Sequence, residues 1–114
     1  MNPLEELNST LLDGRTKGIP GNTEPFPLGE IARQGWNVLR EDLPLPLMVL
    51  KQSALENNAA VFKAFVEEQG LSFAPHGKTP MAPQLFHAQL DDGAWGITAA
   101  TVNQLQVYRH YGIQ

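Results

Sequence analysis

The sequence of 114 residues contains no cysteine. This absence excludes a disulfide framework, a zinc site built on cysteine thiolates and catalysis by a thiol nucleophile. A chain without cysteine also suits a reducing compartment, and we expect a cytoplasmic protein. Basic residues are few: 8 Lys and Arg stand against 12 Asp and Glu, which gives a net charge of −4. No nucleic-acid partner is expected, because binding to phosphates needs a basic surface.

Long apolar runs are missing as well. Nowhere do about 18 apolar residues follow one another, as a membrane-spanning helix requires. The first residues, Met1 to Leu12, carry Glu5 and Glu6 and lack the basic segment at the start of a secretion signal. We therefore expect no membrane partner. A content of 42% hydrophobic and 18% charged residues is typical of a globular chain, whose length suits one small domain.

Residues 1–42 differ in composition from the remainder of the chain. They are rich in proline and glycine and have no sustained hydrophobic period. We interpret residues 1–42 as an N-terminal extension of mostly irregular structure. One helical patch is predicted around Leu28 to Leu39, where Ile31 and Trp36 have the spacing to pack against a larger body.

Three short apolar runs recur at equal intervals from residue 43 onward. They begin at Leu47, Leu71 and Trp95, and a helix-like stretch follows each of them. Because a strand–helix–strand unit lays its two strands parallel, the pattern predicts an α/β fold. Three such units match the start of a (β/α)8 TIM-type barrel, which needs about 250 residues. We expect residues 43–114 to be the incomplete N-terminal part of that barrel, and the chain alone to be inactive.

The three predicted helices share a stop signal, a glycine just beyond the last turn. They cover about 53–69, 80–92 and 101–111, and the glycines are Gly70, Gly93 and Gly112. Ser53 with Glu56, and Thr101 with Gln104, have the spacing of a capping box, in which side chains bond to the free backbone N–H groups of a helix start. The aromatic side chains of this region are expected in the core, namely Phe62, Phe65, Phe86 and Trp95.

The segment from Pro75 to Thr79, which contains His76, Gly77 and Lys78, lies just past the second predicted strand. In parallel α/β folds the active site lies at this edge of the sheet. A lysine buried there has a lowered pKa, and its free amine can form a Schiff base with an aldehyde such as pyridoxal phosphate. Lys78 is thus a candidate catalytic residue, although on spacing alone a solvated surface lysine is the commoner case.

His76 stands two residues before Lys78, so in an extended chain both side chains point to the same face. Two roles stay open for it: a group that flanks a cofactor ring or moves a proton, and a histidine bonded within the loop. No metal site is predicted, because no His and carboxylate residues have ligand spacing. Gly77-Lys78-Thr79 is similar to the end of a phosphate-binding Walker loop, but Ser72 stands where that loop needs a glycine.

Residues 45–114 resemble the D-threonine aldolase and D-serine dehydratase group of fold-type III pyridoxal-phosphate enzymes. Four segments carry the resemblance: Pro46-Leu47-Met48-Val49-Leu50, Ala54-Leu55-Glu56-Asn57-Asn58, Pro75-His76-Gly77-Lys78-Thr79, and the stretch from Gln89-Leu90 to Gly93-Ala94-Trp95-Gly96-Ile97-Thr98-Ala99-Ala100-Thr101. Gly77 replaces a commoner valine. Together with the long N-terminal extension, this makes the sequence most similar to the amino acid deaminase branch.

The resemblance implies an alanine-racemase-like barrel in which Lys78 holds pyridoxal 5'-phosphate as an internal aldimine, with His76 beside the cofactor. It implies a homodimeric lyase for D-amino acids with a 3-hydroxyl group, which are cleaved by loss of water and ammonia or by retro-aldol chemistry. The phosphate-binding residues and divalent-metal ligands of the family have no counterpart in this chain. The alternative is a truncated non-catalytic remnant, or a module that carries the cofactor or binds a partner.

Overall fold

A computed structural model describes residues 2–114. The chain divides into two compact units, Met1–Val49 and Leu50–Gln114. It combines helices with a small two-stranded antiparallel sheet, so the protein mixes helix and strand. Within the described residues, no helix is long and apolar enough to cross a membrane.

The first unit has more regular structure than the irregular extension that we predicted. Its elements are helix α1 (Pro3–Asn8), strands β1 (Leu11–Leu12) and β2 (Phe26–Pro27), and two 3₁₀ helices (Leu28–Gln34 and Val38–Arg40). The strands β1 and β2 pair antiparallel. The helical patch predicted at 28–39 is present as the two 3₁₀ helices, and the first of them ends at Gly35, whose φ is 66°.

The second unit contains the three predicted helices, here α2 (Gln52–Glu68), α3 (Pro83–Asp91) and α4 (Val102–His110). Each is followed by the predicted glycine in a left-handed conformation, with φ of 62° at Gly70, 102° at Gly93 and 80° at Gly112. In each case the next amide donates to a carbonyl in the last turn of the helix: Leu71 to Val66, Ala94 to Gln89 and Ile113 to Tyr108. These bonds form a Schellman motif, which satisfies carbonyls that the helix leaves free.

The helix starts match the prediction less well. At α4 the Thr101 hydroxyl accepts a bond from the Gln104 N–H (3.2 Å), as expected, while the Gln104 side chain accepts from the N–H of Ala100 (2.7 Å) and not from that of Thr101. The capping box predicted at Ser53 is not formed. Helix α2 begins one residue earlier, at Gln52, and its N-cap is Lys51, which has no side-chain acceptor to offer.

Two of the three predicted strands lie side by side in parallel. The Trp95 N–H donates to the Phe73 carbonyl and the Thr98 N–H donates to the Pro75 carbonyl, both at 2.8 Å. His76 and Thr98 form an isolated parallel bridge. Helix α3 connects the two segments, so the order strand, helix, strand is the expected one, although the pairing is too short to count as full strands.

The first predicted strand, at 47–50, is not formed. Residues 43–50 take part in no backbone hydrogen bond within the described chain. Pro44 and Pro46 contribute to this, because proline has no N–H to donate to a neighbouring strand. Of the three expected strand–helix units, the structure therefore contains one strand–helix–strand arrangement, preceded by α2 and followed by α4.

The core of the second unit is formed by Phe86, Tyr108 and Ile113, which are buried together. The rings of Phe86 and Tyr108 meet edge to face with their centroids 4.9 Å apart, a favoured geometry for aromatic pairs. This small cluster thus joins α3, α4 and Ile113, the residue that follows Gly112.

The other aromatic side chains predicted in this core lie outside it. Trp95 is 81% exposed, and Phe62 and Phe65 on α2 are about half-exposed. Phe62 packs against Phe73 at a centroid distance of 4.8 Å, and Val66 is the buried residue of α2. The apolar stripe of α2 is therefore only partly covered by the described residues.

Candidate functional site

The candidate site is the chain reversal that follows the parallel bridge. Lys78 comes two residues after His76, and the carbonyl of Gly77 accepts a bond from the N–H of Met81 at 3.0 Å. Residues 78–80 form the intervening turn. Lys78 therefore lies just beyond the carboxyl end of a parallel segment, as the sequence predicted.

Gly77 is the buried residue of this segment, and it is held closely from three sides. A Cβ built on Gly77 would lie 2.8 Å from Cγ2 of Ile97 and 2.9 Å from Cε1 of Phe86, and closer still to the Tyr108 hydroxyl. Real Cβ atoms do not approach other atoms so closely, so the packing itself requires glycine here.

The carbonyl of Thr98 joins this segment to helix α4. It accepts the N–H of Gly77 at 3.1 Å and also the hydroxyl of Tyr108 at 3.2 Å. Tyr108 is 1% exposed, and burial raises the pKa of its hydroxyl. The sequence did not predict the contact between Tyr108 and Thr98. Tyr108 belongs to the apolar stripe of a helix and Thr98 to a predicted strand, and neither pattern indicates that the two residues meet.

Lys78 itself is exposed. Residues 2–114 do not bury its side chain, because Lys78 lies in a surface turn. Its backbone N–H donates to Nδ1 of His76 at 3.3 Å, and within the described chain its side-chain amine enters no ion pair. The amine is therefore open to a reagent that arrives from solvent.

His76 is exposed beside Lys78. Because its Nδ1 accepts the Lys78 N–H, the neutral ring carries its proton on Nε2, which points away from this bond. His87 has a different role: its Nε2 donates to the carbonyl of Tyr111 at 2.8 Å and so links α3 to the end of α4. This agrees with a structural histidine at position 87.

A separate groove of about 570 Å³ lies between α2 and α3. Its walls are mainly apolar and include Phe62, Phe73, Pro80 and Leu85. Neither His76 nor Lys78 lines this groove. No group of three or more His, Asp or Glu side chains among residues 2–114 is placed to hold a metal ion.

Two comparisons with known proteins, one with family models and one with curated sequences, give no relative for this chain. The resemblance of residues 45–114 therefore remains one of motifs, and Lys78 and His76 are the residues of those motifs that lie at the candidate site. No protein-family model matches the chain, and no curated protein matches it.

Proposed function

We propose that the protein is a pyridoxal-phosphate-dependent lyase for D-amino acids, most simply those with a 3-hydroxyl group, and that Lys78 attaches the cofactor. The observation that carries the proposal is an exposed lysine directly after the carboxyl end of a parallel segment, which enters no ion pair among residues 2–114. That edge is where parallel α/β enzymes bind substrates and cofactors. The α/β barrel of which residues 43–114 would be the first part belongs to the same proposal.

The residues present fit the attachment of an aldehyde. Lys78 would hold the cofactor through its side-chain amine, which would bond to the aldehyde carbon with loss of one water. The His76 ring accepts the backbone N–H of Lys78 at Nδ1, which leaves Nε2–H to donate a hydrogen bond to a group bound there. When bound, pyridoxal phosphate withdraws electrons from the α-carbon of the substrate.

The proposal extends to the surroundings of the enzyme. It comprises a cytoplasmic homodimer that acts on a small D-amino acid and binds neither nucleic acid nor membrane. The net charge of −4 is consistent with the absence of a polyanionic partner. Residues outside this segment would have to supply the phosphate-binding groups and the divalent-metal ligands of the full enzyme.

Selective labelling tests the attachment. The chain is incubated with pyridoxal 5'-phosphate, the adduct is reduced with borohydride, and peptide mapping locates it among Lys17, Lys51, Lys63 and Lys78. We expect the label to concentrate on Lys78 and to be lost from that peptide in Lys78→Ala, while the control Lys51→Ala keeps it. Equal labelling of all four lysines would contradict the proposal.

A product assay tests the reaction class in a preparation that binds the cofactor. Dehydration of D-serine yields pyruvate and ammonia, and retro-aldol cleavage of D-threonine yields glycine and acetaldehyde. We expect one of these product pairs, and we expect the activity to disappear in Lys78→Ala.

A non-catalytic interaction module is the second candidate function. Its supporting observation is the exposure of large apolar side chains in the second unit, with Trp95 at 81% and Val102 at 73%. Exposed apolar side chains in excess of the usual scatter mark interaction surfaces. Unselective lysine labelling together with a stable fold would favour this candidate.

A further inference from the structure

The surroundings of Gly77 connect Lys78 to a buried tyrosine on another element. We propose that Tyr108 is a positioning residue for Lys78, acting through the Thr98 carbonyl and Gly77. The inference rests on the proposed function, because it concerns the reactivity of the lysine that would carry the cofactor. It adds a residue that neither the motif at 75–79 nor its spacing contains.

Among residues 2–114, no hydrogen bond or ion pair fixes the direction of the Lys78 side chain. It is exposed, and its amine enters no ion pair within the described chain. The direction in which the side chain leaves the surface is therefore set by the backbone of residues 76–81. That backbone is fixed by the bonds at His76, Gly77 and Met81.

Gly77 is the residue of this backbone segment that is held most directly. Its N–H and the hydroxyl of Tyr108 donate to the same carbonyl, that of Thr98, at 3.1 and 3.2 Å. The tyrosine oxygen also fills the space beside the Cα of Gly77, where a side chain would otherwise lie. The hydroxyl thus limits the movement of Gly77 in two ways, by volume and by holding its acceptor.

Tyr108→Phe removes this hydroxyl and keeps the aromatic ring in the core. The Thr98 carbonyl then has Gly77 as its single donor, and a small space opens beside the glycine. We expect the Gly77 amide to exchange its hydrogen faster and the rate of adduct formation at Lys78 to fall about fivefold, the factor that corresponds to one ordinary net hydrogen bond. Tyr111→Phe is the matched control, because no hydrogen bond involves the Tyr111 hydroxyl within the described chain.

Two measurements on the same proteins decide the inference: hydrogen exchange at Gly77, and the rate of borohydride-trapped labelling at Lys78 under conditions in which each variant is folded. A purely structural tyrosine would lower the denaturation midpoint while leaving the labelling rate of the folded protein at the wild-type value. That result, or an unchanged exchange rate at Gly77, overturns the positioning role.

Failure of the inference and failure of the proposed function give different results in these measurements. If wild-type Lys78 is labelled no faster than Lys51, the proposed function fails and the positioning role fails with it, whatever the exchange data show. If wild-type Lys78 is labelled selectively and Tyr108→Phe matches Tyr111→Phe in both measurements, the inference alone fails. Slower labelling with faster Gly77 exchange in Tyr108→Phe supports both.

Discussion

At the residue scale, Gly77 leaves no room for a side chain. We expect Gly77→Ala to lower the free energy of unfolding by about 1–3 kcal/mol, because its methyl group would overlap Ile97, Phe86 and the Tyr108 hydroxyl. Urea denaturation followed by circular dichroism measures the change.

Gly96→Ala serves as the control for this substitution. Nothing lies within 4 Å of a Cβ built on Gly96, so we expect a change within about 0.5 kcal/mol. Tyr108→Phe removes one of the three overlaps that an alanine at position 77 would make. We therefore expect the double variant, Gly77→Ala with Tyr108→Phe, to lose less stability than the sum of the losses in the two single variants. Strict additivity would show that the hydroxyl does not touch the added methyl group.

Tyr108 also predicts a dependence of stability on pH. Burial raises the pKa of its hydroxyl above the ordinary 10.0, so the folded protein keeps this proton to a higher pH than the unfolded chain does. The stability from this difference is complete below the ordinary pKa and is lost as the pH rises through the folded pKa. In urea titrations at alkaline pH we expect Tyr108→Phe to lose less stability than the wild type. Tyr111→Phe should behave as the wild type does.

At the scale of elements, the start of α4 depends on one side chain. The Thr101 hydroxyl accepts the N–H of Gln104 at 3.2 Å. We expect Thr101→Ala to lower the free energy of unfolding by about 0.5–2 kcal/mol, since an N–H of the first turn loses its partner. Thr101→Ser keeps the acceptor and should cost much less in the same denaturant experiment. Equal losses in both variants would contradict a capping role.

The ends of the helices could be predicted from the sequence, and their starts only in part. The glycine after each helix is a local signal, because the left-handed conformation there favours glycine whatever surrounds it. Ser53 and Glu56 have the correct spacing, but the helix begins at Gln52, and a cap works only at the boundary residue. Periodicity correctly predicted the bodies of α2, α3 and α4 but not their first residues, since α3 begins at Pro83, three residues after its predicted start.

The strands and the candidate site were likewise predictable only in part. The parallel meeting of segments 73–76 and 95–98 follows from their spacing around α3, whereas strand 47–50 requires a partner that the described residues do not provide. The roles of Lys78 and His76 stay predictions from a motif, and only their place after the parallel bridge could be predicted and compared with the structure. The bond that joins Tyr108 to Thr98 could not be predicted, because it depends on how α4 packs against the bridge.

For the whole molecule, low charge and exposed apolar side chains act together. The isoelectric point is about 5.2, and Leu39, Met48 and Trp95 are each more than four-fifths exposed. We expect light scattering to be greatest near that pH, where repulsion between molecules vanishes, and to fall at neutral pH as the net charge becomes negative. Trp95→Ser should reduce the scattering, whereas Gln106→Ser, at an exposed polar position, should leave it unchanged. A scattering profile without a maximum near the isoelectric point would be inconsistent with this expectation.

The Schellman turn at Gly93 has a consequence for chain length. Ala94 and Gly96 after it are buried and Trp95 between them is exposed, so the inward and outward positions alternate. An extended chain keeps this alternation only while the number of residues after the turn stays the same. One residue inserted between Gly93 and Ala94 would exchange the inward and outward positions, so that the indole of Trp95 would point toward the bridge. This connection is therefore far more sensitive to insertions and deletions of a single codon than to most point mutations.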